Sequence, residues 1–160
     1  MKRGLWIFII ILALVAVAIA YVVTRPNYEV VEYQDLSQAD DPNGLFCLGL
    51  YNSDFSGKEF VINTQEEYSA LQYDIPDGFC KDFVPPQIDF TQKTLLGRSA
   101  GGSGCTIEFK KEVLKDAENK KIIFSIKVIE QGSCEVGRMS MNWVLIPKVP
   151  QDYAVKFLVT

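Results

Sequence analysis

Residues 97–105 read GRSAGGSGC and run directly into TIEFKKEVL at 106–114. Whether this glycine cluster opens a helix or enters a strand decides the fold. A phosphate-cradling loop needs Lys and then Ser or Thr after its last glycine, because the lysine reaches the phosphates and the hydroxyl holds magnesium. Here Gly104 is followed by Cys105. A dinucleotide fingerprint needs its glycines to open a helix whose first amides face a pyrophosphate. Instead, Ile107 and Phe109 alternate with Thr106, Glu108 and Lys110, the period of a half-buried strand. Both nucleotide readings fail on this context, and the cluster reads as a flexible or bulged connection into a strand.

Working outward, Thr106–Leu114 and Lys121–Ile129 read as two strands joined by the polar turn 115–120. An antiparallel hairpin centred near Ala117-Glu118 places Cys105 across from the region of Gln131, a short loop from Cys134. The four cysteines, Cys47, Cys80, Cys105 and Cys134, allow three pairings. The hairpin favours Cys105 with Cys134, which leaves Cys47 with Cys80. No two cysteines stand at the close spacing of a zinc site and the chain has no histidine, so disulfides are expected and a metal is not. The glycines then let the chain turn tightly into a strand pinned by a disulfide. Lys110, Lys111, Lys115, Lys120 and Lys121 are interleaved with Glu108, Glu112, Asp116 and Glu118, which reads as a soluble hairpin tip rather than a basic patch.

The amino-terminal end is of a different kind. Lys2 and Arg3 precede Leu5 to Val23, a stretch without one charge, and Thr24, Arg25 and Pro26 follow. As a helix that stretch is about 28 Å long, close to the roughly 30 Å hydrocarbon core of a bilayer. The sequence therefore predicts a signal anchor over 1–25, with a transmembrane helix over 5–23, and an exported domain over 26–160. A cleaved signal peptide is the competing reading, because Ala16-Val17-Ala18 and Ala18-Ile19-Ala20 fit the small-x-small pattern. The apolar run continues past both through Tyr21-Val22-Val23, which favours an uncleaved anchor. The first cysteine, Cys47, lies too far away to carry a lipid at this segment. Lys2, Arg3 and the amino terminus against Arg25 alone place the amino end in the cytoplasm. The expected location is the cytoplasmic (inner) membrane, crossed once, with the domain periplasmic or extracellular. With the three basic residues of the first 25 set aside, the domain keeps 13 basic against 20 acidic residues, a net charge of −7. Such a surface repels nucleic acid and anionic head groups, so neither is expected as a partner.

Within the domain, strand-like runs occur at Tyr28–Tyr33, Leu45–Leu50, Glu59–Ile62, Leu95–Ser99, Thr106–Leu114, Ile122–Ile129, Met139–Ile146 and Val155–Val159. Turn signals separate them: DDPNG (40–44), DFSG (54–57), IPDG (75–78), VPP (84–86) and QGS (131–133). One helix is announced, by Thr64 three residues before Glu67, a capping box, with Tyr68 and Leu71 on one face. The expectation is a mainly β domain: an antiparallel sandwich or open barrel of about eight strands with one short helix.

The order FVINTQEEYSAL (60–71), QIDFTQKTLLG (87–97), the glycine-rich entry to a long hairpin, NWVLIPK (142–148) and YAVKFLV (153–159) resembles the C-terminal domain of the PrcB protease-complex subunit family. The likeness covers about residues 58–160 and is one of element order. It implies an exported, non-catalytic domain that associates with another exported protein, in the namesake a protease that it helps stabilise. This chain departs from the namesake in its apolar anchor, which stands where a lipid-bearing cysteine would be, and in its four cysteines. The resemblance supplies no catalytic residues.

The residues agree with a non-enzymatic reading. Without histidine, every Ser-His, Cys-His and histidine-metal arrangement is excluded. Asp40 and Asp41 read as turn residues, and DDPNG lacks the later ligands of a calcium loop. No Ser-x-x-Lys occurs. Trp143 and Arg98 are candidate partner contacts, each weighed against a plainer role, a core tryptophan and a solvated strand-end arginine. The sequence thus predicts a membrane-anchored exported interaction domain without cofactor. A small-ligand or surface-polymer binding module, with Tyr51, Phe55 and Trp143 lining its pocket, is the alternative, and a carboxylate hydrolase is a third reading.

Overall fold

The computed structural model describes residues 27–37, 57–72, 84–135 and 137–160. The anchor expected over 5–23, the strand expected at Leu45–Leu50, Cys47, Cys80, and the turn signals at 40–44 and 75–78 lie outside them. No described helix is long and apolar enough to cross a membrane.

The described chain forms β1 (Tyr28–Val30), β2 (Gln34–Asp35), β3 (Glu59–Ile62), α1 (Gln65–Gln72), β4 (Lys93–Ser103), β5 (Thr106–Asp116), β6 (Lys121–Gln131), β7 (Gly137–Pro147) and β8 (Ala154–Val159). Two four-stranded sheets result, sheet I in the order β1-β5-β6-β8 and sheet II in the order β2-β7-β4-β3. The fold is therefore mainly β, a sandwich of two sheets with one short helix. The run expected as a single strand over Tyr28–Tyr33 is strand only over Tyr28–Val30, where β1 joins β5 on sheet I, and β2, just past the run, joins β7 on sheet II. The chain crosses between sheets at residues 31–33.

Two long antiparallel pairings carry the architecture. β5 pairs with β6 from Thr106↔Gln131 to Asp116↔Lys121, and β4 pairs with β7 from Lys93↔Pro147 to Ser103↔Gly137. The first is the expected hairpin, with its centre one residue later than the composition suggests. Asp116 fixes that register, accepting from the Asn119 amide at 2.9 Å and from its side chain at 2.8 Å. β4 and β7 extend past the apolar runs that announce them. The glycine-rich segment Gly101-Gly102-Ser103 belongs to β4 rather than to a loop, and the turn is confined to Gly104 and Cys105. Gly104 has φ +141°, a backbone conformation that side chains oppose. That residue swings the chain from sheet II to sheet I.

Sheet II is buried on both faces, which explains why its strands lack clean alternation. On one face Leu36, Ile62, Tyr68, Phe90, Leu95, Met141 and Trp143 pack beneath α1. On the other, Leu96, Ala100, Val144 and Ile146 meet Val113, Ile122, Phe124 and Ile126 of sheet I. The helix begins as its cap predicts: Thr64 Oγ1 accepts from the Glu67 amide at 3.1 Å, and Glu67 Oε2 accepts from the Thr64 amide at 3.2 Å. Tyr68 then drops into the core and donates its hydroxyl to the Pro86 carbonyl at 3.2 Å. One pairing departs from the antiparallel expectation. After β7 the chain crosses over residues 148–153 back to sheet I, and β8 lies parallel to β6, with Ile122↔Val155 and Phe124↔Phe157. The chain reverses once between β6 and β7 and again between β7 and β8, so the strand that returns to sheet I by this crossover runs in the same direction as β6, where a direct hairpin would have made it antiparallel.

Candidate interaction surface

The residues singled out in the sequence go to different places. Cys105 and Cys134 form a disulfide, with Cα atoms 4.8 Å apart, so the β5–β6 hairpin brings together the pair its register selects. Trp143 is fully buried, its ring centroid 5.4 Å from that of Phe60. As a partner contact it is corrected to a core residue: its side of β7 faces α1, not solvent. Arg98 lies near the surface but is engaged, Nη1 donating to Glu59 at 2.8 Å and to the Gly57 carbonyl at 2.5 Å. It fastens edge strand β3 to β4. Tyr51 and Phe55, with which Trp143 was expected to line a ligand pocket, lie outside the described residues, as do Asp40 and Asp41.

Carboxylates elsewhere are tied to local partners. Asp89 accepts from the Thr91 hydroxyl at 2.6 Å and from its amide at 2.9 Å, and these bonds hold its carboxyl below the usual carboxylate range. Lys120 meets Asp152 at 2.7 Å and Lys115 meets Glu29 at 3.3 Å. Among the described residues no group of three or more Cys, Asp or Glu is placed to hold a metal ion.

The least expected polar contact joins the two sheets. Lys111 turns inward from β5, almost fully covered, and its ammonium meets Asp35 on β2 at 2.5 Å. The Tyr33 hydroxyl donates to the Lys111 carbonyl at 2.8 Å and the Ser37 amide donates to Asp35 at 2.9 Å. Burial alone would push the Asp35 carboxyl up, but the Lys111 ammonium and the Ser37 donors outweigh it and hold the group below its ordinary value. A depressed folded pKa adds stability that is full above the unfolded value, near 4, and is lost as pH falls through the folded one. Asp35→Asn should therefore give a flatter acid limb than the parent when urea unfolding is followed from about pH 6 downward. Parallel acid limbs would contradict this account.

The outer face of sheet I carries the feature with the clearest bearing on recognition. The core-facing residues of this sheet include Phe109, Val113, Phe124, Ile126, Val155 and Phe157, so their alternates point outward. Outward positions on β5 and β6 nearer the disulfide include the charged Glu108, Lys110, Glu112 and Lys127, together with Thr106, Ser125, Ile129 and Gln131. Toward the hairpin turn Leu114 and Ile123 are apolar, with Asp116 and Lys121 following at the turn itself. Val30 stands beside Leu114, and Leu114 beside Ile123, in one row across three strands. Leu114 is half-buried and Ile123 is buried at 7% exposure, so the row opens to solvent at its β1 end. Tyr28 extends the row along β1; on β8 the residue beside Ile123 is Lys156, and Leu158 stands beside Ser125. Val30 is 68% exposed and Tyr28 44%. Exposed apolar side chains grouped on the outside of a sheet and rimmed by charges of both signs make this end of β1 the candidate contact surface. A separate cleft of about 500 Å³ opens at the β1 end between the sheets, lined by Val31, Ile122, Ile146 and Val149 with Glu29 and Lys115 at its rim.

This row was not singled out in the sequence, because Val30, Leu114 and Ile123 are far apart in the chain and only strand order joins them. No family model, curated protein or solved structure matches the chain. The PrcB likeness thus rests on element order alone.

Proposed function

We propose that this chain is a membrane-tethered, exported, non-catalytic accessory domain that docks another exported or membrane protein on the outer face of sheet I. The observation that carries the reading is the exposed apolar pair Val30 and Tyr28 on β1, backed by half-buried Leu114 and buried Ile123 in the same row. Its position supports the same reading. β1 begins at Tyr28, a few residues after the anchor expected over 5–23, and Tyr28 pairs with Asp116 next to the β5–β6 turn. With that anchor in place the row lies at the membrane-proximal end, within reach of a neighbour in the same bilayer. The PrcB resemblance is consistent with this use and suggests stabilisation of an exported protease as one form of it.

The test is a charge placed in the row. Val30→Glu in the full-length, membrane-bound chain should abolish recovery of the partner and lower the partner's abundance as far as deletion of 27–160 does. Its effect on thermal unfolding should be small, since Val30 is mostly exposed and its loss leaves no cavity. Lys127→Glu, on the charged half of the same face, should leave recovery intact. Partner recovery unaffected by Val30→Glu would remove the docking face. Substrate turnover by the purified protein, abolished by changing one carboxylate, would remove the non-catalytic reading.

A further inference from the structure

β8 closes sheet I on one side only. Its inner side pairs with β6, and no described strand lies on the other. In a parallel pair, alternate residues direct both N–H and C=O to the neighbour. The Ala154 amide donates to the Lys120 carbonyl, the Thr160 amide donates to Ile126, and the Thr160 carbonyl accepts from Val128. Even-numbered positions therefore serve β6. Val155, Phe157 and Val159 turn their amides and carbonyls to the open side, a row of groups without a backbone partner among the described residues and of the kind that templates further strand pairing.

We propose that this edge pairs with the same edge of a second copy, antiparallel, across a two-fold axis through Phe157. In that register Val155 faces Val159 of the second copy and Phe157 faces its own counterpart, and each such pair exchanges two hydrogen bonds. Every open group of the edge is then used. On the outer face Lys156 falls opposite Leu158 of the second copy, and its four-carbon stem covers the leucine while the ammonium stays in water. The alternatives are worse on the same criteria. An axis through Lys156 sets two ammonium groups directly opposite each other, which destabilises a strand pair. An axis through Leu158 leaves Val155 opposite no strand residue, because β8 stops at Val159. An axis between residues opposes odd to even positions and forms no ladder. The edge is thus self-complementary in a single register, as an isologous interface requires. Lys156 is the one charge in the strand, and a lone lysine that guards an edge against arbitrary partners is accommodated in this register. Leu158 and Val159, 36% and 39% exposed, both gain cover. The result is one eight-stranded sheet with two apolar rows on a common outer face. This inference stands on the edge and is independent of what docks on the rows.

Crosslinking tests it in the full-length protein in detergent micelles. Lys156→Cys chains mixed with Leu158→Cys chains should yield a disulfide-linked dimer on mild oxidation, because opposed residues of this kind have Cα atoms about 4.5 Å apart. Either variant alone should yield far less. Val159→Pro provides the complement. The Val159 amide faces away from β6, so proline costs no bond within the chain, yet it removes a donor and sets its ring against the second strand. Sedimentation should show the dimer of the parent weakened at least about tenfold in Val159→Pro, with unfolding of the dilute monomer unchanged. A parent that sediments as a monomer throughout, or efficient crosslinking of Lys156→Cys alone, would overturn the proposal. So would crosslinking of Leu158→Cys to a different protein in place of the second copy.

Discussion

Gly97→Ala is expected to cost at least about 3 kcal/mol, and Gly97→Val to leave no folded protein. Gly97 pairs with Trp143 across β4 and β7. A Cβ at this position would stand 2.2 Å from Cζ3 and 2.5 Å from Cε3 of the ring. Relief requires moving an indole that is fully buried and held by Phe60, under α1 and at the centre of one of the two cores. Interiors packed at crystal-like density do not yield by an ångström without breaking other contacts. A second substitution identifies the cause. Trp143→Phe alone should destabilise by creating a void, but combined with Gly97→Ala the losses should be clearly less than additive, because the smaller ring vacates the space the methyl needs. Urea unfolding of the single and double variants measures both quantities. A Gly97→Ala protein within about 0.5 kcal/mol of the parent would show that the ring does not occupy this position.

Replacing Cys105 and Cys134 by serine is expected to cost about 3.5 kcal/mol, the loop entropy that a bridge across 29 residues removes from the unfolded chain. The bridge closes the base of the β5–β6 hairpin, where the Cys105 amide already donates to the Gln131 carbonyl at 2.8 Å. It therefore fixes the two points at which the chain passes between sheets, Gly104-Cys105 on the way out and the residues that follow Gln131 on the way back. Double substitution separates this effect from that of any other cystine, which reduction would not. The expected outcome is a lower urea midpoint at unchanged slope, with the hairpin amides nearest Gln131 exchanging fastest. Mass mapping of a non-reduced digest should link the Cys105 and Cys134 peptides, and a peptide joining Cys47 to Cys105 would contradict the pairing.

What the sequence reveals follows from which interactions are local. The β5–β6 hairpin is legible because apolar alternation, a polar turn and a cysteine at each base all lie within 30 residues. The capping box of α1 spans four residues and is legible for the same reason. β4 and β7 are legible only in their centres: Leu95 and Leu96 serve opposite faces of a sheet buried on both sides, so the two-residue period disappears and the strand ends, rich in glycine and serine, read as loop. Trp143 illustrates the ambiguity of a lone strand aromatic. Only Gly97, across the sheet and 46 positions earlier, shows that its ring has space inside. β8 reads as a strand, but nothing in YAVKFLV announces that it will lie parallel and at an edge, because that depends on the path of the crossover. The Asp35–Lys111 pair and the Val30–Leu114–Ile123 row are likewise products of strand order. The candidate surface was therefore the least legible part of the molecule.

The docking role is tested most directly by placing a photo-activatable crosslinking residue at Val30, and separately at Lys127, in the full-length chain in its own membrane, and illuminating intact cells. Both positions lie on the outer face of sheet I, so they differ in local chemistry but not in compartment. The account predicts one discrete adduct from Val30, with a protein other than this chain, and none from Lys127. No adduct from Val30, or the same adducts from both positions, would contradict it.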